Sequence, residues 1–268
     1  MYPSDLFFGL DLYDLSIAIG FFAALLYFRL FADRLQFGAG LQNLIIIGAL
    51  VAIVGGYGSA VLFQAFYNYL EDGVFVIADS TGATFYGGLI GGALLFLLIY
   101  FAVGGPLFRN KSETPASRFW ALSEIAAGSI ALAHGFGRLG CLFAGCCHGA
   151  VTEAWYGVYN AYLGVKTVPI QLYEAIFLFA LAALLSYRLC KGRRGNFGLY
   201  LTGYAVWRFV VEFLRNDDRG QSPLAFLTPS QFIAVCLFAV GIGFWVAEWI
   251  LIRHAKKNKK GDSPSEAF

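Results

Sequence analysis

Seven stretches of roughly twenty residues, near 13–31, 43–66, 86–103, 119–143, 168–189, 197–214 and 230–252, are almost free of charge. Twenty apolar residues in helical form reach about 30 Å, the thickness of the hydrocarbon core of a bilayer. Backbone N–H and C=O groups find no partner in hydrocarbon, so each stretch is expected as an α-helix. Composition agrees, because only 13% of the 268 residues are charged, against about 25% in a soluble domain. The expected fold is all-α, a polytopic membrane protein whose single seven-helix transmembrane domain covers residues 1–255, with a basic cytoplasmic tail over 256–268. The opening M-Y-P-S-D has neither a basic region nor a small-residue cleavage site, so the first stretch is expected as a retained span.

Cytoplasmic loops carry the excess of lysine and arginine. Fourteen basic residues, from Arg29 and Arg34 to the Lys256–Lys260 cluster, fall on one side of the seven spans, and three (Lys166, Arg215 and Arg219) on the other. That split puts the N-terminus outside and the C-terminus inside. The basic residues are dispersed between spans rather than gathered in a patch, which excludes a nucleic-acid partner. Trp155, Tyr156, Tyr159 and Tyr162 crowd the long external connection 145–168 and read as an interfacial layer. Leu107–Arg118 reads as a polar cytoplasmic turn.

Arg138 and Arg208 fall inside spans four and six, where an ionisable group is costly and marks a functional site. Glu212 lies four residues after Arg208 and Tyr204 four before it, a spacing that makes one polar stripe and suits an i,i+4 ion pair. Tyr13 and Tyr86 enter spans one and three from the same external side. Two guanidinium groups on two helices with one carboxylate suit a phosphate, which they grip bidentately, and the phosphate found at that depth belongs to a phospholipid headgroup. The competing account is a structural Arg–Glu pair that sets helix packing. Arg215, with Asn216, Asp217, Asp218 and Arg219, lies where snorkelling accounts for most such residues.

Small residues let membrane helices approach closely, the default account of Gly91, Gly92 and Gly137. Gly87 and Gly88 stand at a helix start, where free N–H groups could also face an anion. Gly135, Gly137 and Gly140 match G-x-G-x-x-G, but no strand precedes them and a dinucleotide fold is rejected. Cys141, Cys146 and Cys147, with His134 and His148, could bind zinc or copper, supply a thiolate or form a disulfide; they include no C-x-x-C pair, and apolar packing is the commoner fate of a membrane cysteine. Cys190 and Cys236 are assigned to packing, and no metal or cofactor is expected.

Several runs resemble the prolipoprotein diacylglyceryl transferase family over nearly the whole chain. They are Tyr13, F-Y-G-G-L-I-G-G at 85–92, G-R-L-G at 137–140 with Gly149 closing the loop, V-P-I-Q-L-Y-E at 168–174, G-Y-A-V-W-R-F-V-V-E-F-L-R at 203–215 and T-P-S-Q at 228–231. The resemblance implies transfer of the diacylglyceryl group of phosphatidylglycerol to the lipobox cysteine of a prolipoprotein signal peptide, releasing glycerol phosphate and forming a thioether. It implies a multi-pass protein of the bacterial plasma (inner) membrane, with phosphatidylglycerol, the signal peptide and membrane lipids as partners. Carried onto these residues, it implies a catalytic set of Tyr86, Arg138, Arg208 and Glu212. The implied substrate-binding set is Tyr13, Gly87, Gly88, Gly149, Tyr204 and Arg215, with Gln171, Tyr173 and Glu174 as structural support.

Three positions depart from the family pattern. Tyr86 stands where a histidine is usual, and a phenol titrates near 10 against about 6.5 for imidazole, so it is a poorer base at neutral pH. Cys141 and Cys146 replace an asparagine and a glutamate, and G-G-Y-G at 55–58 lacks an arginine. These departures leave open an active divergent transferase, a headgroup-binding paralogue without turnover, a transferase with another acceptor, or a thiol- or metal-dependent enzyme centred on Cys141, Cys146 and Cys147.

Overall fold

Apolar stretches of this length close their hydrogen bonds internally, and they do so here almost throughout. The computed structural model describes residues 9–73, 75–78, 81–215 and 226–261. In chain order these form α1 (Leu12–Arg34), α2 (Ala39–Asp72), α3 (Phe85–Leu98), a π turn (Ile99–Val103), α4 (Gly104–Leu107) and α5 (Pro115–Ala144). There follow β1 (Val158–Asn160), β2 (Val165–Thr167), α6 (Ile170–Cys190), α7 (Asn196–Val211), a 3-10 turn (Glu212–Leu214) and α8 (Pro229–Gly261).

Six helical segments among the described residues are long and apolar enough to cross a membrane, against the seven expected. The difference is α7, whose 16 residues reach only about 24 Å as α-helix before the backbone tightens at Glu212. The all-α expectation also needs one amendment. Antiparallel β1 and β2, with Val158 opposite Thr167 and Asn160 opposite Val165, occupy the aromatic-rich connection 145–168. Helix α8 runs on to Gly261, into the segment expected as a tail. Asn216, Asp217, Asp218 and Arg219 lie outside the described residues, as does the tail from 262 onward.

The chain forms two compact units, Met1–Phe31 with Leu122–Phe268, and Ala32–Ala121. In the first, Ala127 and Ala131 of α5, Leu178, Leu181, Ala182 and Leu185 of α6, and Tyr200 and Leu201 of α7 make a buried cluster. The three- and four-residue spacings on α5 and α6 put one stripe of each of those two helices inward. Helices α1 and α5 close to near-backbone contact at two glycines. A Cβ on Gly20 would stand 2.9 Å from Phe136 Cβ, and one on Gly140 would stand 3.3 Å from Tyr13 O.

The start of α7 is capped from a distance. Gly195 precedes it with φ +83° and no local side chain caps the helix. Instead the buried Glu124 of α5 accepts the Gly195 N–H at 2.8 Å and the Asn196 N–H at 2.9 Å. A carboxylate at a helix N-terminus satisfies orphan donors and meets the positive end of the helix dipole.

In the second unit, α2 and α3 pack through small residues. Added Cβ atoms at Gly88 and Gly92 would stand 3.3 Å from Gly56 O and 3.1 Å from Ala52 O, and one at Gly91 would overlap Ser59. The expected polar turn is well ordered here. Glu113 pairs with Arg118 and accepts the Gly38 N–H at 2.7 Å, and Arg118 lies over the Phe37 ring.

Candidate active site

The ionisable groups expected inside the apolar helices do meet, in the first unit. Glu174 of α6, wholly buried, sits between the two arginines. Its Oε2 is 3.3 Å from Arg138 Nε and its Oε1 is 3.6 Å from Arg208 Nη1. Tyr204 ties the set together, donating to Glu174 Oε1 at 3.3 Å and accepting from Arg138 Nη2 at 3.4 Å. Arg208 pairs with Glu212 at 3.1 Å, the expected i,i+4 contact, and donates to Ser230 Oγ at 2.9 Å. Thr228 donates to Glu212 Oε1 at 3.0 Å, so the opening of α8 braces the far end.

One expectation is corrected. Sequence reading set two arginines against one carboxylate, whereas the cluster holds two of each, Glu174 and Glu212. Charges kept out of water need such balance, because an unpaired buried ion is strongly destabilising. Glu174 therefore bridges the centre rather than merely supporting it. Its signal was present in the sequence: an acid within the apolar run Leu172–Leu178, the same feature that singled out Arg138.

The two arginines are not equivalent. The Arg208 side chain is 10% exposed and contacts Glu174, Glu212 and Ser230. The Arg138 side chain is 16% exposed, and its protein contacts, through Nε and Nη2, leave Nη1 without a protein partner among the described residues. Arg138 has a guanidinium edge to offer; Arg208 is held through Nη2, and its buried Nη1, 3.6 Å from Glu174 Oε1, makes no hydrogen bond among the described residues. His134, one turn before Arg138, lies edge-on to the Tyr204 ring at 4.6 Å with Nδ1 3.3 Å from Tyr200 OH. It is thereby kept away from the cysteines with which it was grouped.

The other candidates divide. Tyr13 is partly exposed, its ring against Gly140 on the α5 side. Gly149 donates to Val168 O at 2.9 Å, and a Cβ there would stand 2.7 Å from Ile170 Cδ1, so it folds the loop onto the start of α6. Arg215 donates to Cys147 O at 3.0 Å. In the second unit, Tyr86 opens α3 and is 41% exposed. Gly87 and Gly88 pack on Phe63 and Ala60 of α2, and the Gly88 N–H is taken by Thr84 O at 3.1 Å.

Cys141, Cys146 and Cys147 come together, their Sγ atoms all within 4.8 Å of one another. The neighbouring Cys141 and Cys146 thiols, with the Arg138 and Arg215 charges behind them, hold the Cys147 thiol below the usual thiol range. Beside them a cavity of about 200 Å³ opens between Leu12, Leu142, Phe143, Tyr159, Asn160 and Gln171.

Membrane-crossing helices that enclose a balanced arginine–glutamate centre define a multi-pass membrane protein with a polar site inside an apolar scaffold. Residues 5–247 match the sequence model of the prolipoprotein diacylglyceryl transferase family, and the chain belongs to that family. It is 33% identical over 246 residues to phosphatidylglycerol–prolipoprotein diacylglyceryl transferase 2 of Clostridium perfringens, covering 88% of this chain and 90% of that one. It is 32% identical to the transferase of Clostridium tetani, covering 89% of this chain and 93% of its relative. The Chromohalobacter salexigens transferase is also 32% identical, with 87% and 86% covered.

Proposed function

We propose that this chain transfers the diacylglyceryl group of phosphatidylglycerol to the lipobox cysteine of a prolipoprotein signal peptide. The reaction takes place at the outer face of the bacterial plasma membrane. The cysteine sulfur attacks the glyceryl carbon bonded to the phosphate oxygen, a C–S bond forms as that C–O bond breaks, and glycerol phosphate leaves with the electron pair. The thiol proton passes to a base, and Tyr86, which stands where the family usually has a histidine, is the residue proposed for that role. The observation that best supports the reading is the open edge of Arg138 beside Arg208, whose Nη2 is held by Glu212 and Ser230. A guanidinium edge in a water-poor site stabilises charge developing on a departing phosphate, commonly the largest catalytic contribution.

In this reading Glu174, Tyr204, Arg208 and Glu212 hold Arg138 in place. Tyr13, Gly149 and Arg215 line or shape the substrate path beside Arg138, and Gly87 and Gly88 shape the start of α3. The 3-10 turn extends α7 by three residues, enough to complete a seventh span over 197–214. With seven spans in a single domain over 1–255, the lysine and arginine split puts the N-terminus outside and the basic tail inside.

The test is complementation of a strain lacking its own transferase, with mass spectrometry of an acceptor lipoprotein. The parent chain restores the diacylglyceryl mass increment and Arg138→Ala abolishes it. Normal thioether formation by Arg138→Ala would overturn the reading. Retention of phosphatidylglycerol by the parent with no acceptor modified would replace it with a headgroup-binding paralogue.

A further inference from the structure

The proposed transfer makes no use of the three clustered cysteines, although the fold goes to some length to assemble them. Cys141 lies in the last turn of α5, and Cys146 and Cys147 follow in the loop that leads to Gly149. Three separate side chains fix the loop's carbonyls: Asn160 donates to Gly145 O at 2.8 Å, Gln171 donates to Cys146 O, and Arg215 donates to Cys147 O at 3.0 Å. Cys147 itself is held at φ +59°, a left-handed conformation unusual for a residue with a side chain. The outcome is three sulfur atoms turned toward one point, all within 4.8 Å of one another.

We propose that Cys141, Cys146 and Cys147 form a three-thiolate site for one thiophilic d10 cation of the Cu(I) or Zn(II) class. Thiolates about 2.3 Å from a common metal stand about 3.8–4.0 Å apart, whether trigonal or tetrahedral. Sulfurs already within 4.8 Å reach that spacing by sub-ångström shifts of the side chains, with the pinned backbone unmoved.

Ligand type agrees with that class, because soft sulfur donors select Cu(I) and Zn(II) over hard cations. Charge agrees as well. Three thiolates leave a net −2 around a monovalent ion and −1 around a divalent one. Arg215, bonded to the Cys147 carbonyl, and Arg138, three residues before Cys141 on α5, offset that excess. Binding releases the protons of whichever thiols were neutral. Among the described residues, the groups that converge here are the three cysteines. His134 is turned to Tyr200 and Tyr204, and His148 directs Nδ1 to its neighbour's carbonyl, Gly149 O, at 2.8 Å. A fourth ligand, where one is needed, comes from solvent.

Full-length protein in detergent micelles, reduced with a phosphine and stripped of metal, is titrated with Cd(II) as a spectroscopically visible probe. One equivalent per chain should saturate an ultraviolet sulfur-to-metal charge-transfer band. Alkylation mapped by mass spectrometry should show Cys141, Cys146 and Cys147 protected together and the exposed Cys190 and Cys236 still reactive. Cys141→Ser and Cys147→Ser should each weaken binding by more than the roughly 10- to 100-fold seen when an outer partner of a metal ligand is lost. Cys146→Ser, whose side chain is exposed and least able to disturb folding, should do the same, and Cys236→Ser should change nothing. Absence of a saturable band, protection that spreads equally to Cys190 and Cys236, or unchanged affinity in Cys146→Ser would overturn the site. So would a disulfide joining two of the three in protein isolated without reductant. None of these readouts depends on lipid transfer.

Discussion

Removing the charge of Glu174 is the most direct test of the balanced centre. Its carboxylate is wholly buried, 3.3 Å from Arg138 Nε and 3.6 Å from Arg208 Nη1, and it accepts the Tyr204 hydroxyl at 3.3 Å. In Glu174→Gln the two guanidinium groups face Glu212 alone. Removing one partner of a buried pair costs about 3–5 kcal/mol because it leaves the other charge unpaired. The amide oxygen of glutamine still accepts from Tyr204, which returns about 1 kcal/mol. The expected loss is therefore about 2–4 kcal/mol, or roughly 30- to 700-fold in the folded-to-unfolded ratio. Unfolding with sodium dodecyl sulfate in mixed micelles, followed by tryptophan fluorescence, measures it.

Adding Arg138→Gln removes one charge of each sign. The double variant should then be more stable than the two single losses summed, by about 0.5–3 kcal/mol, as expected for residues in contact. A Glu174→Gln protein within about 0.5 kcal/mol of the parent, or a strictly additive double variant, would refute the bridging role.

Tyr204→Phe deletes a hydroxyl that contacts both Arg138 and Glu174 at long hydrogen-bond distances. It should lower stability by about 0.5–1.5 kcal/mol, and transfer by roughly 2- to 10-fold through misplacement of Arg138, measured as acceptor lipidation rate. Glu124→Gln weakens the remote cap of α7, where the carboxylate accepts from Gly195 and Asn196. A loss of about 1.5–3 kcal/mol in the same unfolding assay is expected, since charge-assisted bonds are the stronger kind. Gly91→Ala drives a methyl into Ser59 and should destabilise the α2–α3 pair by about 1–3 kcal/mol, read as a lowered midpoint of thermal aggregation.

Hydrophobic length and ionisable residues out of place are local properties, and they carried much of the reading. The long apolar helices and the Arg208–Glu212 pair could be read from the linear chain, the pair because a helix puts i and i+4 on one face whatever surrounds it. The resemblance to the transferases rests on short runs in order and is equally a property of the linear chain.

The tertiary structure decided which charge meets which. Glu174 reaches Arg138 and Arg208 from a third helix, and Glu124 caps a helix that begins 72 positions later in the chain. No periodicity encodes such contacts. The same holds for the cysteines, which include no C-x-x-C pair. Their sulfurs converge because Asn160, Gln171 and Arg215, each distant in sequence, bend the intervening loop. Spacing along one helix is determined by backbone geometry alone. Contact between helices depends on how small residues such as Gly20 and Gly140 let their backbones approach, and only the packed chain resolves that.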